Sequence, residues 1–286
     1  MTNIRSQLNS TLRKFATVLP PQNPIRQFLS KIWSRFLEKS GKYIDVQVGD
    51  QKLKMLVQFR HLNPNYEEAT LRIWKQLLQL EMTVWDVGAN IGVYTAISAR
   101  AIGSKGSVIC WEPAPDSFDA TCKHILANGL SQNCEAIQAA VSDTDEGTIR
   151  FTVLEGEGTN PMNRISPDIS SNGIEVPVMS LDAQLSKSDP PDVMKMDIEG
   201  AEVHALYGST KLLNEHRPII LLAVHPMFLP EFDRSPSDII DLCKSHNYST
   251  LTMTGKIVDV LEYDEYLLVP SERVEKIQSD VQWNQN

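Results

Sequence analysis

The sequence of 286 residues is poor in cysteine, and none of its four cysteines belongs to a Cys-x-x-Cys pair. Three of them, Cys110, Cys122 and Cys134, fall on predicted core strands and a predicted helix, and Cys243 falls on a later helix. We therefore expect reduced, buried thiols and a cytoplasmic protein. The chain also lacks an apolar run of about 18 residues and an apolar leader, so neither a membrane span nor a signal peptide is predicted.

Positive charge is scarce: 27 Lys and Arg stand against 36 Asp and Glu, which gives a net charge of −9. This balance argues against a nucleic-acid partner. Residues 1–42 are the exception, with eight basic residues and one acid. Residues 25–37 have the spacing of an amphipathic helix, which predicts either peripheral membrane contact through residues 24–39 or packing. We favour packing, on the chain's own acidic domain or across a homodimer, because the opposite charges attract.

A strand, a glycine turn and a helix follow one another between residues 84 and 101. The apolar segment 84–87 is typical of a buried strand, Gly88 and Gly92 mark the turn, and residues 93–101 are helical in pattern. This geometry brings the backbone close to a nucleotide-like ligand. A nicotinamide site prefers Gly-x-Gly-x-x-Gly, whereas position 90 is Asn.

Three acids end three successive predicted strands, at 84–87, 108–111 and 136–141. Asp86, Glu112 and Asp143 are therefore expected at one crevice, beyond the carboxyl ends of a parallel sheet. A ligand with an ammonium, a ribose diol and an adenine amine suits three acceptors, which favours S-adenosylmethionine over NAD. Glu112 is predicted for the ribose, and Ser142 with Asp143 for the adenine amine. The predicted cofactor-binding residues are Asp86, Gly88, Ala89, Asn90, Gly92, Glu112, Ser142 and Asp143.

The predicted catalytic residues follow the next two strands, at 193–196 and 218–224. Lys195, Asp197 and Glu199 are too polar for a strand core unless they are paired or belong to a site. His225 ends the second of these strands and is the predicted proton acceptor, with Asp197 orienting the imidazole. No metal is predicted, because no ligand-spacing motif is present. A cation seated by Asp197 is the weaker alternative.

At these positions the chain resembles the FkbM-type methyltransferases, which are class I enzymes dependent on S-adenosylmethionine. The resemblance rests on DVGANIG at 86–92, EP at 112–113, AVSD at 140–143 with Gly147, VMSLD at 178–182, KMDIEGAE at 195–202 and RPII at 217–220. It implies O-methylation of a hydroxyl on a sugar, glycan or secondary-metabolite acceptor. Family members usually carry a glutamate where this chain has Ala223, so that role is missing or belongs to His225 or Glu199.

The pattern as a whole predicts an α/β Rossmann-like class I methyltransferase fold, with a mainly parallel seven-stranded sheet and helices on both faces. Residues 1–62 form a basic extension with a β-hairpin at 43–59, residues 63–270 the catalytic domain, and residues 271–286 a polar tail that frays. A lid helix is expected at 64–80, an acceptor loop or disordered insertion at 154–174, and an antiparallel strand pair at 248–252 and 266–269.

Two alternatives to a methyltransferase stay open at this point. One is a nicotinamide-dependent oxidoreductase, which the Asn at position 90 and the three acids disfavour. The other is a non-catalytic subunit that binds the cofactor as a scaffold, for which Ala223 is the hint.

Overall fold

A computed structural model describes residues 40–152, 164–165 and 173–284. The chain divides into two compact units, residues 1–63 and 64–286. In the described part of the first unit, β1 (Tyr43–Val48) and β2 (Gln51–Leu56) form the predicted antiparallel hairpin, and residues 57–59 form a 3₁₀ turn. Gly49 turns the hairpin with a positive φ of 55°. The predicted amphipathic helix, and any membrane or dimer contact through it, lies outside the described residues.

The second unit is built on a seven-stranded, mainly parallel sheet, as predicted. In spatial order its strands are β12 (Tyr248–Thr252), β13 (Asp264–Pro270), β11 (Ile219–Val224), β10 (Val193–Met196), β3 (Thr83–Val87), β4 (Ser107–Trp111) and β5 (Cys134–Ile137). β13 runs antiparallel to both of its neighbours, and the other pairs are parallel.

The strand order reverses between β3 and β10, and this places the crevice of the sheet. From β3 the chain adds β4 and β5 on one side, and it later adds β10 and β11 on the other. In open α/β sheets, ligands bind beyond the carboxyl ends of the strands at such a reversal. β3 and β10 are almost entirely buried there, and the ring centroids of Trp85 and Trp111 lie 5.2 Å apart in an edge-to-face arrangement.

Helices connect the strands and cover the sheet. The described helices are α1 (Glu68–Leu77), α2 (Val93–Ile102), α3 (Pro115–Ala127), α4 (Leu181–Gln184), α5 (Glu202–Tyr207), α6 (Pro236–Ser245) and α7 (Val274–Asp280). α1 is shorter than the helix predicted at 64–80. Within the described residues, no helix is long and apolar enough to cross a membrane.

The predicted third strand at 136–141 is wrong, because the segment serves two sheets. β5 ends at Ile137, and the Ala139 amide donates to the Ile137 carbonyl oxygen at 3.1 Å, a tight turn that redirects the chain. Next comes β6 (Ala140–Val141) in a second, four-stranded sheet ordered β6-β9-β7-β8, in which β7 is Thr148–Thr152, β8 is Arg164–Ile165 and β9 is Gly173–Met179. An apolar run that only Gln138 interrupts does not reveal such a turn.

Two segments predicted as irregular carry regular structure. Part of the expected loop at 154–174 forms β8, which pairs with β7, and the beginning of β9; the stretches 153–163 and 166–172 lie outside the described residues. Residues 271–280, expected to fray, form a 3₁₀ turn and then α7. Val274, Ile277 and Val281 are buried, and this apolar packing holds a segment that is polar in overall composition.

The close approach of β3 and β10 generates the first prediction. A Cβ on Gly88, whose φ is +84°, would lie 1.9 Å from the carbonyl oxygen of Asp197. Gly129 also has a positive φ, of 71°, but a Cβ added there would meet no atom within 4 Å outside its immediate chain neighbours. Gly129→Ala should therefore cost about 1–2 kcal/mol of backbone strain, and Gly88→Ala about 1–3 kcal/mol in addition.

Denaturant unfolding of the two variants measures this difference directly. Equal losses of unfolding free energy in Gly88→Ala and Gly129→Ala would contradict the steric account of the turn.

Candidate active site

The turn between β3 and α2 is held by hydrogen bonds to the end of β4. The amides of Gly88 and Ala89 donate to the Trp111 carbonyl oxygen at 3.0 and 2.9 Å. The backbone amide of Asn90 donates to Glu112 Oε2 at 2.8 Å. Asn90 has a φ of +50°, in the left-handed region that asparagine tolerates. The carboxylate predicted for the ribose thus also shapes the glycine turn.

Glu112 is buried and accepts a second backbone hydrogen bond. Its Oε1 receives the Ala114 amide at 2.8 Å. Burial raises the pKa of Glu112 to about 8, against the opposing effect of the two amides. Each carboxylate oxygen has a further lone pair, so Glu112 can still accept a ligand hydroxyl.

An open cleft lies beyond the carboxyl ends of β3, β4 and β10. Its empty volume, including the part that is open to solvent, is about 610 Å³. Gly88, Asn90 and Glu112 line one part of it, and Asp197 and Glu199 line another. The lining also includes the apolar residues Trp111, Val141, Phe151 and Ile165, which we call the apolar wall. The cleft therefore joins the predicted cofactor turn to the predicted acceptor end.

Ala89 and Gly92 shape the turn and are not among the residues that line the cleft. The Gly92 amide donates to the Ala89 carbonyl oxygen at 2.8 Å, and Gly92 takes a φ of +77° as α2 begins. A Cβ on Gly92 would lie 3.0 Å from the methyl group of Thr121. Thr121 in turn donates its hydroxyl to the Asn90 carbonyl oxygen at 2.6 Å. Small residues are needed here for close packing of α2 against α3.

Asp86 lies beneath the turn and is fully buried. Its Oδ2 accepts from the Thr95 hydroxyl at 2.6 Å, while Oδ1 has no hydrogen-bond partner among the described residues. Burial raises its pKa, and Lys195 and Thr95 oppose that rise. Asp86 lies on β3, two residues before Gly88, and is not among the residues that line the cleft.

Ser142 and Asp143 follow a strand of the second sheet and are not among the residues that line this cleft, so their assignment to the adenine amine stays a prediction. The Ser142 amide donates to the Met179 carbonyl oxygen at 3.0 Å, within the second sheet. Asp143 Oδ2 lies 3.0 Å from His204 Nδ1. Burial alone would raise the pKa of Asp143, but His204 and Ser142 lower it. Val141, directly before these two residues, does line the cleft, so the chain turns away from it only at Ser142 and Asp143.

Lys195 is buried on β10 and paired with Asp197. Its Nζ lies 3.0 Å from Asp197 Oδ2 and 4.7 Å from the centroid of the Tyr94 ring. Burial opposes its charge, but Asp197, Asp86 and Glu67 outweigh burial and raise the pKa of Lys195. Burial likewise disfavours ionised Asp197, but Lys195 and His225 lower the pKa of Asp197 below its ordinary value.

The fold brings Glu199 and Asp197 to His225. His225 Nε2 lies 3.4 Å from Glu199 Oε2 and 3.8 Å from Asp197 Oδ1. The side chain of Asp197 is 34% exposed, that of Glu199 15% and that of His225 6%. Glu199 reaches this position through a left-handed backbone, with a φ of +51°. Burial raises its pKa to about 7.

Glu202 is the residue to which sequence reasoning gave no role. It is fully buried at the start of α5, and its Oε1 lies 2.6 Å from His225 Nδ1 and accepts the Gly200 amide at 3.0 Å. Burial would lower the pKa of His225, but Glu202, Glu199 and Asp197 raise it above its ordinary value. The signal was present in the KMDIEGAE segment, but sequence alone does not show which acid faces the histidine.

Asp197, Glu199 and His225 can each offer a ligand atom, and these atoms lie within 4.8 Å of one another. A divalent cation is compatible with that chemistry. Lys195 already neutralises Asp197 at 3.0 Å, however, and its ammonium would repel a second cation. The absence of a metal stays a prediction.

Ala223 faces a carboxylate on the neighbouring strand. It pairs with Glu265 of β13, and Glu265 Oε2 accepts from the Thr70 hydroxyl at 2.9 Å. Directly paired residues share a face of the sheet. A carboxylate is thus present beside the position where related sequences usually have glutamate.

The strand order, the switch point and the glycine turn together define a Rossmann-like class I methyltransferase domain. The family model of the methyltransferase FkbM domain matches residues 86–250, which is more than half of the chain. The chain belongs to the FkbM methyltransferase family. This membership gives no support to the nicotinamide oxidoreductase alternative.

Individual relatives are more distant. The chain is 26% identical, over 194 residues, to the hexuronic acid methyltransferase AglP of Haloferax volcanii, covering 64% of this chain and 70% of that protein. It is also similar to the methyltransferase FkbM structure from Methylobacillus flagellatus, with a TM-score of 0.46 and 15% identity. That match covers 92% of this chain but only 59% of the Methylobacillus chain.

The raised pKa of Glu199 predicts a pH-dependent contribution to stability. The folded value of about 7 exceeds the ordinary 4.5, so the folded state holds the proton more tightly. Wild type should therefore gain stability over Glu199→Gln as the pH falls from about 7 to 4.5, by about 1–3 kcal/mol. The difference should be constant outside that window.

Denaturant unfolding of both proteins at several pH values tests this expectation. A difference that is flat across the window would show that Glu199 titrates at its ordinary pKa.

Proposed function

We propose that this protein transfers a methyl group from S-adenosylmethionine to a hydroxyl oxygen of a sugar, glycan or related secondary-metabolite acceptor. The observation that carries the proposal is the single cleft that joins the glycine turn and Glu112 to Asp197 and Glu199, beside His225. When bound, the cofactor supplies a methyl group on a sulfonium sulfur. The acceptor oxygen attacks the methyl carbon in line, and the sulfur is the leaving group. The family assignment supports the reaction class.

The cofactor end of the cleft fits S-adenosylmethionine in three respects. Glu112 keeps free lone pairs for a ribose diol, and the turn at Gly88 lets a ligand approach the backbone. Trp111, Phe151 and Ile165 form an apolar wall suited to a flat adenine ring. An acidic site of this kind disfavours the pyrophosphate of a nicotinamide cofactor.

The acceptor end supplies a group to take up the hydroxyl proton. An alcohol is a poor nucleophile near neutral pH, so a positioned base is required. We assign that role to His225, whose Nε2 faces Glu199 and Asp197. Lys195 holds Asp197 in place through their contact at 3.0 Å. Glu199, with a pKa of about 7, is the alternative proton acceptor.

The acceptor class rests on the relative from Haloferax volcanii, which is named a hexuronic acid methyltransferase. At 26% identity this supports a sugar without defining which one. The free cysteines of the chain suit a reducing, cytoplasmic setting. Formation of S-adenosylhomocysteine in the presence of a glycan acceptor would exclude the non-catalytic scaffold alternative.

Glu112 provides the test of cofactor binding. At pH 9, above the pKa of about 8 at which Glu112 ionises, Glu112→Ala should weaken S-adenosylmethionine binding by about 1.5–3 kcal/mol, the scale of hydrogen bonds to a charged group. The variant also leaves the amides of Asn90 and Ala114 without their partner, so its thermal unfolding must be measured beside calorimetric binding. Glu275→Ala, which removes an exposed carboxylate on α7, is the matched control. An unchanged dissociation constant in a folded Glu112→Ala variant would remove Glu112 from the ribose site.

His225 provides the test of catalysis. His225→Ala should lower turnover about 10²-fold to 10⁴-fold while S-adenosylmethionine affinity changes little, because the base acts on the acceptor. In wild type, turnover should fall as the pH drops through the raised pKa of His225, since the protonated ring cannot accept a proton. Methyl transfer to a hexuronic acid glycoside, followed against pH, measures both effects.

The exposed His216 offers a control, and His216→Ala should retain wild-type turnover. Retained turnover in His225→Ala would move the proton acceptor to Glu199. Loss of activity with EDTA, restored by Mg²⁺, would overturn the metal-free assignment.

A further inference from the structure

Glu202 presents a buried carboxylate to the side of His225 that faces away from Asp197 and Glu199. The Oε1 atom lies 2.6 Å from His225 Nδ1, and the side chain of Glu202 has no exposed surface. Its Oε2 has no hydrogen-bond partner among the described residues. A buried carboxylate in this state is stabilised chiefly by a hydrogen bond from a strong donor.

This contact determines which ring nitrogen carries the proton. An ionised carboxylate accepts hydrogen bonds and donates none, so the hydrogen must sit on Nδ1 of His225. In the neutral ring, Nε2 then holds a lone pair. That nitrogen lies 3.4 Å from Glu199 Oε2 and 3.8 Å from Asp197 Oδ1, on the side where the acceptor is proposed to bind.

Two aromatic rings limit the movement of the imidazole. Phe228 stacks on it with an interplanar angle of 25° and a centroid distance of 6.3 Å. Tyr263 meets it edge to face at 5.6 Å, and 66% of the Tyr263 residue surface is exposed. The rings define the plane of the imidazole, and the hydrogen bond to Glu202 defines its rotation within that plane.

We infer that Glu202 is a positioning residue of the methyl transfer, which holds His225 with the Nε2 lone pair directed at the acceptor hydroxyl. This inference rests on the proposed function. As the acceptor oxygen forms its bond to the methyl carbon, the carbon–sulfur bond breaks with its electron pair going to sulfur, and the hydroxyl proton passes to Nε2. The positive charge that appears on the ring is then stabilised by the carboxylate of Glu202.

The charged groups around the ring predict how its titration responds. Glu202 contacts it from α5, Asp197 and Glu199 from the segment after β10, and Tyr263 from the segment before β13. Among the influences that raise the pKa of His225, the hydrogen bond and charge of Glu202 come first. Removal of that charge should shift the titration of His225 to lower pH.

Nuclear magnetic resonance of the full-length protein, labelled with ¹⁵N in its histidines, tests the inference without an acceptor. The His225 signals are assigned by their loss in His225→Ala. In wild type above the titration midpoint, Nδ1 should be protonated and Nε2 unprotonated. In Glu202→Gln the amide group can donate to Nδ1, so the Nε2-protonated form should appear and the midpoint should fall by about one pH unit or more. Glu275→Gln makes the same chemical change on an exposed carboxylate and should leave both features unchanged.

Kinetics provides the second measurement, with a hexuronic acid glycoside as acceptor. Glu202→Gln should reduce kcat about 10²-fold to 10⁴-fold and leave the dissociation constant of S-adenosylmethionine within about twofold. A purely structural Glu202 would change the melting temperature but neither the tautomer nor the titration midpoint. Wild-type tautomer and midpoint in Glu202→Gln would overturn the inference. If wild type transfers no methyl group, the proposed function fails, and the resonance data alone decide whether Glu202 sets the ring.

Discussion

The active site depends on the contact between the glycine turn and the end of β10. Gly88 has no side chain, and this lets the Asp197 carbonyl oxygen approach the turn closely. A Cβ on residue 88 would lie only 1.9 Å from that oxygen. The Asp197 amide donates to the Val87 carbonyl oxygen at 2.9 Å, which continues the pairing of β3 with β10. Because of this contact, the glycine turn and the carboxylates proposed for catalysis, Asp197 and Glu199, line one cleft.

The second organising feature is the pairing of buried charges. Unpaired charges are too costly to bury, and their partners must be near. Lys195 lies 3.0 Å from Asp197, and Glu202 lies 2.6 Å from His225. Within the described residues, no oppositely charged group lies as close to Glu199, whose Oε2 is 3.4 Å from His225 Nε2. Burial accordingly raises the pKa of Glu199 to about 7. The acceptor end therefore combines two charge pairs with one weakly acidic carboxyl.

The second sheet contributes apolar residues to the lining of the cleft. Phe151 and Ile165 come from β7 and β8, and both line the cleft and are buried. This sheet branches from the main one after Ile137, through the tight turn at Ala139. It gives the domain an apolar wall, and it carries Asp143 away to His204. Val141, Phe151 and Ile165 of the wall thus belong to the second sheet, whereas Trp111 and the strand that precedes Asp197 belong to the main sheet.

The sequence by itself determined the main sheet, the glycine turn and the residues at the strand ends, because short-range patterns encode them. Apolar runs mark buried strands, and Gly88, Glu112, Asp197 and His225 directly follow or end such runs. Only the tertiary structure decided that Asp143 contacts His204 and that Glu202 contacts His225. A tight turn after β5 and a helix start after β10 control those two outcomes, and both depend on packing between segments far apart in sequence.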